Sequence, residues 1–137
     1  MREFEELHKN SIGKNKQATN FSSQLHERLL KYSTNTIRYL SSLPRKGEYE
    51  VFRAQLSRSA TSIGANYEEA RGAVTRKEFI NKIAICQKES RESHYWFRIL
   101  QELSIGNQNM LTLLINESAE ILKIFVTSVK KAKNNNK

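Results

Sequence analysis

The sequence has 137 residues, a length that fits one domain able to bury a single core without disulfide or metal support. It contains 23 basic and 14 acidic residues, which gives a net charge of +9, and every acidic residue is glutamate. This charge favours an anionic partner such as nucleic acid, an anionic surface or an acidic protein, with solubility alone as the alternative. The single cysteine, Cys86, excludes an internal disulfide, and we interpret it as a small core residue.

The N-terminal segment of the chain is polar. Residues 1–19 carry few apolar side chains, and we expect them to form a mobile N-terminal segment. They are too acidic and polar for a signal peptide, and no apolar run of membrane-spanning length follows. We therefore expect a cytoplasmic protein with no membrane partner.

Four helical patterns follow, and strand-like alternation is absent. The first covers residues 20–43 and the second residues 48–71, joined by a short break around the only proline, Pro44. Thr75 and Glu78 form a capping box that starts a third helix, which runs to residue 104, and a fourth covers residues 109–133 before a polar tail at 134–137. Short connections between amphipathic helices imply antiparallel neighbours. The prediction is an all-α fold, an antiparallel up-down-up-down four-helix bundle of residues 20–133.

Apolar residues at three- and four-residue steps predict the core face of each helix. In the first three helices this face comprises Phe21, Leu25, Leu29, Tyr32, Thr36, Ile37, Leu40 and Leu43; Phe52, Leu56, Ser59, Ile63, Asn66 and Ala70; and Phe79, Ile83, Cys86, Ser90, Ser93, Phe97 and Leu100. In the fourth it comprises Leu111, Leu114, Ser118, Ile121, Leu122, Phe125 and Val129.

The second helix has an unusually small and polar centre. A glycine inside a helix costs about 1 kcal/mol relative to alanine, so Gly64 indicates either a close helix contact or a binding face. We favour the contact, because Arg58 is placed to reach Glu89 or Glu92 on the third helix. Trp96 either covers the core of the monomer or anchors a subunit interface, and we favour the interface. The predicted structural seam or subunit interface comprises Arg58, Ser59, Ser62, Gly64, Asn66, Glu69, Glu89, Glu92 and Trp96.

A second face of the third helix is basic and contains no acid. We name it the basic ridge, and it comprises Lys77, Asn81, Lys88, Arg91, Tyr95 and Arg98. Such a face suits contact with phosphate groups, with Tyr95 available to stack on a base, although a merely solvated face is the alternative. Further basic residues, Lys82 among them, surround the preceding turn. The candidate nucleic-acid-binding residues are Arg71, Arg76, Lys77, Lys88, Arg91, Tyr95 and Arg98.

Catalytic and metal-binding patterns are weak. Glu89 and Glu92 lie one turn apart, but a di-iron bundle needs Glu-x-x-His pairs from separate helices, and the sequence has none. It also lacks a nucleophile elbow, a glycine-rich phosphate loop and a Cys/His cluster. We therefore predict that the protein is not an enzyme and holds no metal or cofactor.

Residues 55–103 resemble the four-helix bundle family of 23S rRNA intervening-sequence proteins. The resemblance rests on an Arg-Ser-x-x-Ser-Ile-x-x-Asn-x-x-Glu run, an Arg-x-x-Phe motif and a Glu-rich helix. In this sequence those positions are Arg58, Ser59, Ser62, Ile63, Asn66, Glu69, Arg76, Phe79, Glu89, Glu92 and Trp96.

This resemblance implies a bacterial protein encoded within, or related to, insertions in ribosomal RNA genes. The family is similar to the accessory variability protein of diversity-generating retroelements, a basic homopentamer that binds nucleic acid and a reverse transcriptase. The leading hypothesis is a non-enzymatic, ring-forming homo-oligomer that binds nucleic acid, preferably structured or ribosomal RNA, through basic side chains. The alternative is a protein-interaction scaffold or accessory subunit that recruits an acidic partner such as a reverse transcriptase.

Overall fold

Four α-helices make up most of the chain that the computed structural model describes, residues 16–135, with side chains described from residue 20. They are α1 (Lys16–Leu40), α2 (Glu50–Arg71), α3 (Arg76–Leu103) and α4 (Gln108–Asn134), with one 3-10 turn at Gly47–Tyr49 before α2. No strand occurs within these residues. The all-α prediction is confirmed.

Consecutive helices pack side by side in opposite directions. Phe52, at the start of α2, packs edge-to-face on Trp96, late in α3, with ring centroids 6.0 Å apart. The hydroxyl of Tyr39, at the end of α1, donates a hydrogen bond of 2.7 Å to the carbonyl of Ile105, just after α3. The ends of α1 and α3 therefore share one end of the bundle, which confirms the up-down-up-down arrangement.

The helix boundaries differ slightly from the predicted ones. The helix α1 covers Lys16–Leu40 rather than 20–43, and α2 begins at Glu50 because residues 47–49 form the 3-10 turn. The cap of α3 is as predicted, with the Thr75 hydroxyl accepting from the Glu78 amide at 3.1 Å. Residues 1–15 of the predicted mobile segment, and residues 136–137 of the predicted polar tail, lie outside the described residues.

The tight turn between α3 and α4 depends on glycine. Gly106 has a φ of +79°, a conformation that L side chains rarely adopt. A Cβ atom at this position would also lie 2.8 Å from Cε1 of Tyr39. Asn107 then caps α4, its side-chain oxygen accepting from the Met110 amide at 3.0 Å, so that α4 begins one residue earlier than predicted.

The predicted core face of α3 is entirely buried, and that of α1 is buried except at two positions. Phe21 and Ile37 are 49% and 45% exposed, and Ser22 and Tyr39 are buried instead. The ring centroid of Tyr39 lies 6.0 Å from that of Phe97, and its hydroxyl donates to the carbonyl of Ile105.

Two further positions differ from the predicted core faces. In α2, Tyr67 occupies the buried position predicted for Asn66 and packs edge-to-face on Phe125. In α4, Leu122 is only half-buried. None of the helices in residues 16–135 combines the length and apolarity that crossing a membrane requires.

The close contact predicted at Gly64 is made with α1. A Cβ atom on Gly64 would lie 3.6 Å from Cβ of Leu29, an ordinary van der Waals distance. Beside it, the Ser33 hydroxyl donates to the carbonyl of Ala60 at 3.4 Å. There is room here for a methyl group and for little more.

We expect Gly64→Ala to raise the free energy of unfolding by about 0.4–1 kcal/mol, because alanine restricts the unfolded chain and fits the contact. Gly64→Leu should lower it by about 1–3 kcal/mol, because the larger side chain overpacks against Leu29. Urea unfolding followed by circular dichroism measures both, with Ala65→Leu on the exposed side of α2 as the control. A destabilised Gly64→Ala variant would contradict the packing described.

Candidate nucleic-acid interface

The seam between α2 and α3 is built around Arg58. Its Nη1 lies 3.0 Å from Oε2 of Glu89, and its Nη2 lies 2.6 Å from Oε2 of Glu92. One guanidinium therefore bridges two carboxylates that lie one turn apart on α3, within the reach that the sequence predicts. Since Glu89 is buried and Glu92 half-buried, the group, which we name the Arg58 cluster, carries one net negative charge in a partly desolvated position.

The Arg58 cluster shifts the ionisation of Glu92. Burial opposes the charged form of this carboxyl, but the hydrogen bond and the positive charge of Arg58 outweigh that effect and lower its pKa below the ordinary value of 4.5. Glu92 therefore stays ionised at neutral pH and acts only as a hydrogen-bond acceptor.

Two other predicted seam residues find different partners. Glu69 does reach α3, where it pairs with Lys82 at 2.9 Å. Asn66 forms no hydrogen bond to α3 among the described residues, and a contact with another subunit stays a prediction. Its amide donates to the carbonyl of Ser62 in its own helix at 2.9 Å, because the neighbouring Tyr67 takes the inward position.

The remaining seam residues are buried or half-buried in the monomer. Ser59 is fully buried and donates to the carbonyl of Leu56 at 3.3 Å. Trp96 is half-buried against Phe52, so that much of its surface already contacts its own chain. A role for these residues in a subunit interface stays a prediction.

The basic ridge is exposed along its whole length, from Lys77 near the start of α3 to Arg98 near its end. The ring of Tyr95 is 61% exposed. Within residues 20–135, none of the four ridge cations forms an ion pair; these are Lys77, Lys88, Arg91 and Arg98.

Most of the basic residues around the α2–α3 turn, unlike those of the basic ridge, are paired with glutamates or partly buried. Arg71 pairs with Glu68 at 3.4 Å, and Lys82 pairs with Glu69. Arg76 is half-buried, and its Nη1 is buried without a hydrogen-bond partner among the described residues. At this turn, Lys77 is the predicted site residue whose charge is both exposed and unpaired in the described part of the chain.

An open depression joins the basic ridge to the Arg58 cluster. Its volume is about 920 Å³, and it is lined by Arg58, Ala84, Gln87, Lys88, Glu89, Arg91, Glu92 and Tyr95. Ala84 and Gln87 are not among the site residues predicted from the sequence. Helical spacing could have identified Ala84, because it lies three residues after Asn81 and four before Lys88 on the same face of α3. Its short side chain leaves space for the depression.

The described residues offer little for nucleophilic or metal chemistry. They contain no group of three or more His, Cys, Asp or Glu residues that could hold a metal ion. Cys86 is buried, and burial raises the pKa of its thiol to about 12. The Nδ1 atom of His94 lies 2.7 Å from the Ser118 hydroxyl, and burial followed by the charge of Arg98 lowers the pKa of this histidine. Both side chains therefore remain neutral at pH 7.

Comparison with known proteins gives consistent matches. The sequence model described as 23S rRNA-intervening sequence protein matches residues 16–127. A crystal structure of a protein with unknown function from the S23 ribosomal protein family of Bacteroides thetaiotaomicron is similar, with a TM-score of 0.70 and 30% identity. The match covers 80% of this chain and 97% of that chain. The search of curated proteins found no match.

The Arg58 cluster predicts an acid-sensitive stability. Because the folded-state pKa of Glu92 is below its unfolded value, the contribution of Glu92 is complete above about pH 4.5 and is lost as the pH falls through the folded pKa. Thermal unfolding between pH 7 and pH 3 should therefore show a decrease that is smaller in Arg58→Gln than in the wild type. Arg45→Gln, at an exposed loop position, is the control and should keep the wild-type profile. Identical profiles for wild type and Arg58→Gln would contradict this role of Arg58.

Proposed function

Because the chain belongs to the family of 23S rRNA-intervening sequence proteins, we propose that it is a non-enzymatic helical bundle that binds RNA through the basic ridge. Structured or ribosomal RNA is the preferred ligand. The family description supports this choice, since it names a ribosomal RNA, and so does the net charge of +9.

The observation that carries the proposal is the contrast between two faces of α3. On the side toward α2, Arg58 and Lys82 are neutralised by glutamates. On the basic ridge, the cations are exposed and have no ion-pair partner among residues 20–135. Exposed cations on a rigid helix suit contact with a phosphate backbone, because each neutralised phosphate releases counterions and adds affinity.

The proposal includes assembly into a ring. Large apolar side chains are exposed on the outer surface of the bundle, including Leu30 at 53%, Ile37 at 45% and Val51 at 47%. Contact between copies of the chain would bury them, and the resemblance to a homopentamer favours a ring of five. Several identical ridges acting together would convert weak individual contacts into useful affinity.

Charge reversal of the basic ridge tests the RNA-binding proposal. We expect the triple variant Lys88→Glu, Arg91→Glu and Arg98→Glu to weaken binding of labelled 23S rRNA fragments by at least about tenfold at moderate salt. The slope of log affinity against log salt should also fall by up to about three, one unit for each lost phosphate contact. Fluorescence anisotropy over a salt series measures both quantities.

A matched control separates the ridge from overall charge. The triple variant Lys31→Glu, Lys46→Glu and Lys123→Glu changes the net charge equally at exposed positions on other elements. It should keep most of the affinity. No RNA binding by the wild type at low salt would refute the proposal and favour the protein-interaction scaffold, whereas equal losses in both triple variants would refute the assignment to the ridge.

Light scattering coupled to size exclusion tests the assembly. We expect a mass of about five times that of one chain, and we expect Leu30→Glu combined with Ile37→Glu to reduce it by placing charges in a buried contact. Circular dichroism should show the same helix content in the variant. A monomeric wild-type protein at micromolar concentration would contradict the ring.

A further inference from the structure

The depression beside the basic ridge has a mixed chemistry that phosphate contact alone does not require. Lys88 and Arg91 line it together with the aromatic ring of Tyr95 and the carboxylates of the Arg58 cluster. A surface that binds only a phosphate backbone gains nothing from carboxylates, which repel phosphate. The depression therefore combines cations that can bind a phosphate, an aromatic ring that can stack on a base, and carboxylates that can accept hydrogen bonds.

The aromatic and basic groups are placed side by side. Lys88, Arg91 and Tyr95 follow each other at helical steps of three and four residues, which makes them neighbours on the surface of α3. The ring of Tyr95 is tilted against that of Trp96, with centroids 5.9 Å apart, and the residue is 61% exposed. A base can stack on such a ring while the attached phosphate contacts the two cations.

The carboxylate of Glu92 offers hydrogen-bond acceptors in the same depression. Glu92 lies one turn before Tyr95 and lines the same depression, and its Oε2 is fixed by Arg58 at 2.6 Å. As an ionised acceptor it attracts N–H groups and repels carbonyl oxygens. The Watson–Crick edge of guanine offers two adjacent donors, N1–H and N2–H. That of uracil offers one N–H between two carbonyl groups.

We infer that the depression binds one unpaired nucleotide of an RNA, with guanine preferred to uracil, stacked on Tyr95, held at its phosphate by Lys88 and Arg91, and read at its edge by Glu92. The depression is open and has a volume of about 920 Å³, so a nucleotide bound there would keep part of its surface in solvent. The nucleotide must be unpaired because pairing hides both the edge and the face of the base. This inference rests on the proposed RNA-binding function.

The test compares three labelled RNAs by fluorescence anisotropy at constant salt: an oligouridine strand, the same strand with one central guanosine, and a hairpin in which that guanosine is paired. We expect the unpaired guanosine to raise the affinity about fivefold to tenfold over oligouridine, in the range of one good edge contact. The paired guanosine should give no such gain.

Substitutions at Glu92 and Tyr95 test whether these residues produce the guanosine preference and the affinity for single strands. Glu92→Gln should abolish the preference for guanosine, because an amide no longer presents two acceptor oxygens, whereas Glu102→Gln, exposed on the same helix, should retain it. Tyr95→Leu should weaken both single strands by about tenfold, and Tyr95→Phe should restore the affinity. Thermal unfolding of each variant checks the fold, and the comparison of RNAs on the wild-type protein does not depend on any variant.

The outcomes separate this inference from the function on which it rests. Equal affinity for the two single strands, with normal salt dependence, overturns the nucleotide site and leaves RNA binding by the basic ridge intact. Equal affinity for paired and unpaired guanosine overturns it in the same way. Absence of binding to every RNA at low salt overturns both.

Discussion

The bridge from Arg58 to Glu89 and Glu92 fixes the register of α2 against α3. Removing these charges from water carries a desolvation penalty that offsets part of their attraction. Its geometry is nevertheless specific, because one guanidinium meets two carboxylates one turn apart at a single axial position of the two helices. The Glu69–Lys82 pair, nearer the turn, satisfies the same register.

This register determines which side of α3 faces the solvent. Side chains three and four residues apart share one face of a helix, so holding Glu89 and Glu92 against α2 turns Lys88, Arg91 and Tyr95 outward. The seam and the basic ridge are therefore two consequences of one rotation of α3. Glu89 and Glu92, which follow Lys88 and Arg91 in the sequence, are paired with Arg58 rather than with the ridge cations.

The core and cap of α3 could be predicted from sequence because local signals determine them. Its apolar and small residues recur at strict helical steps, and Thr75 and Glu78 mark its start within four residues. The reach of Arg58 followed from the same periodicity. Whether the small centre of α2 is a contact or a binding face is decided by a neighbouring helix, since Gly64 lies against Leu29 of α1.

The features that the sequence did not predict are those that depend on residues far apart in the chain. In α1, the buried Tyr39 hydrogen-bonds to a carbonyl 66 residues away, and no pattern within α1 indicates that partner. The two hydrogen bonds from Arg28 to Glu117, which join α1 to α4, span 89 residues and were likewise not predicted. Such contacts depend on the rotation of each helix about its axis. A broad apolar stripe does not determine that rotation to better than about one residue position.

The position of the site on a long helix bears on how it can act. The basic ridge and the depression both belong to α3, which spans 28 residues and packs on both of its sequence neighbours. Rigid attachment leaves only side-chain freedom to be lost when a ligand binds, which lowers the entropic cost of each contact. The carboxylates of the Arg58 cluster are ordered before any ligand arrives, because Arg58 already holds them. A site prepared in this way can discriminate between bases even when each phosphate contact on the ridge is weak.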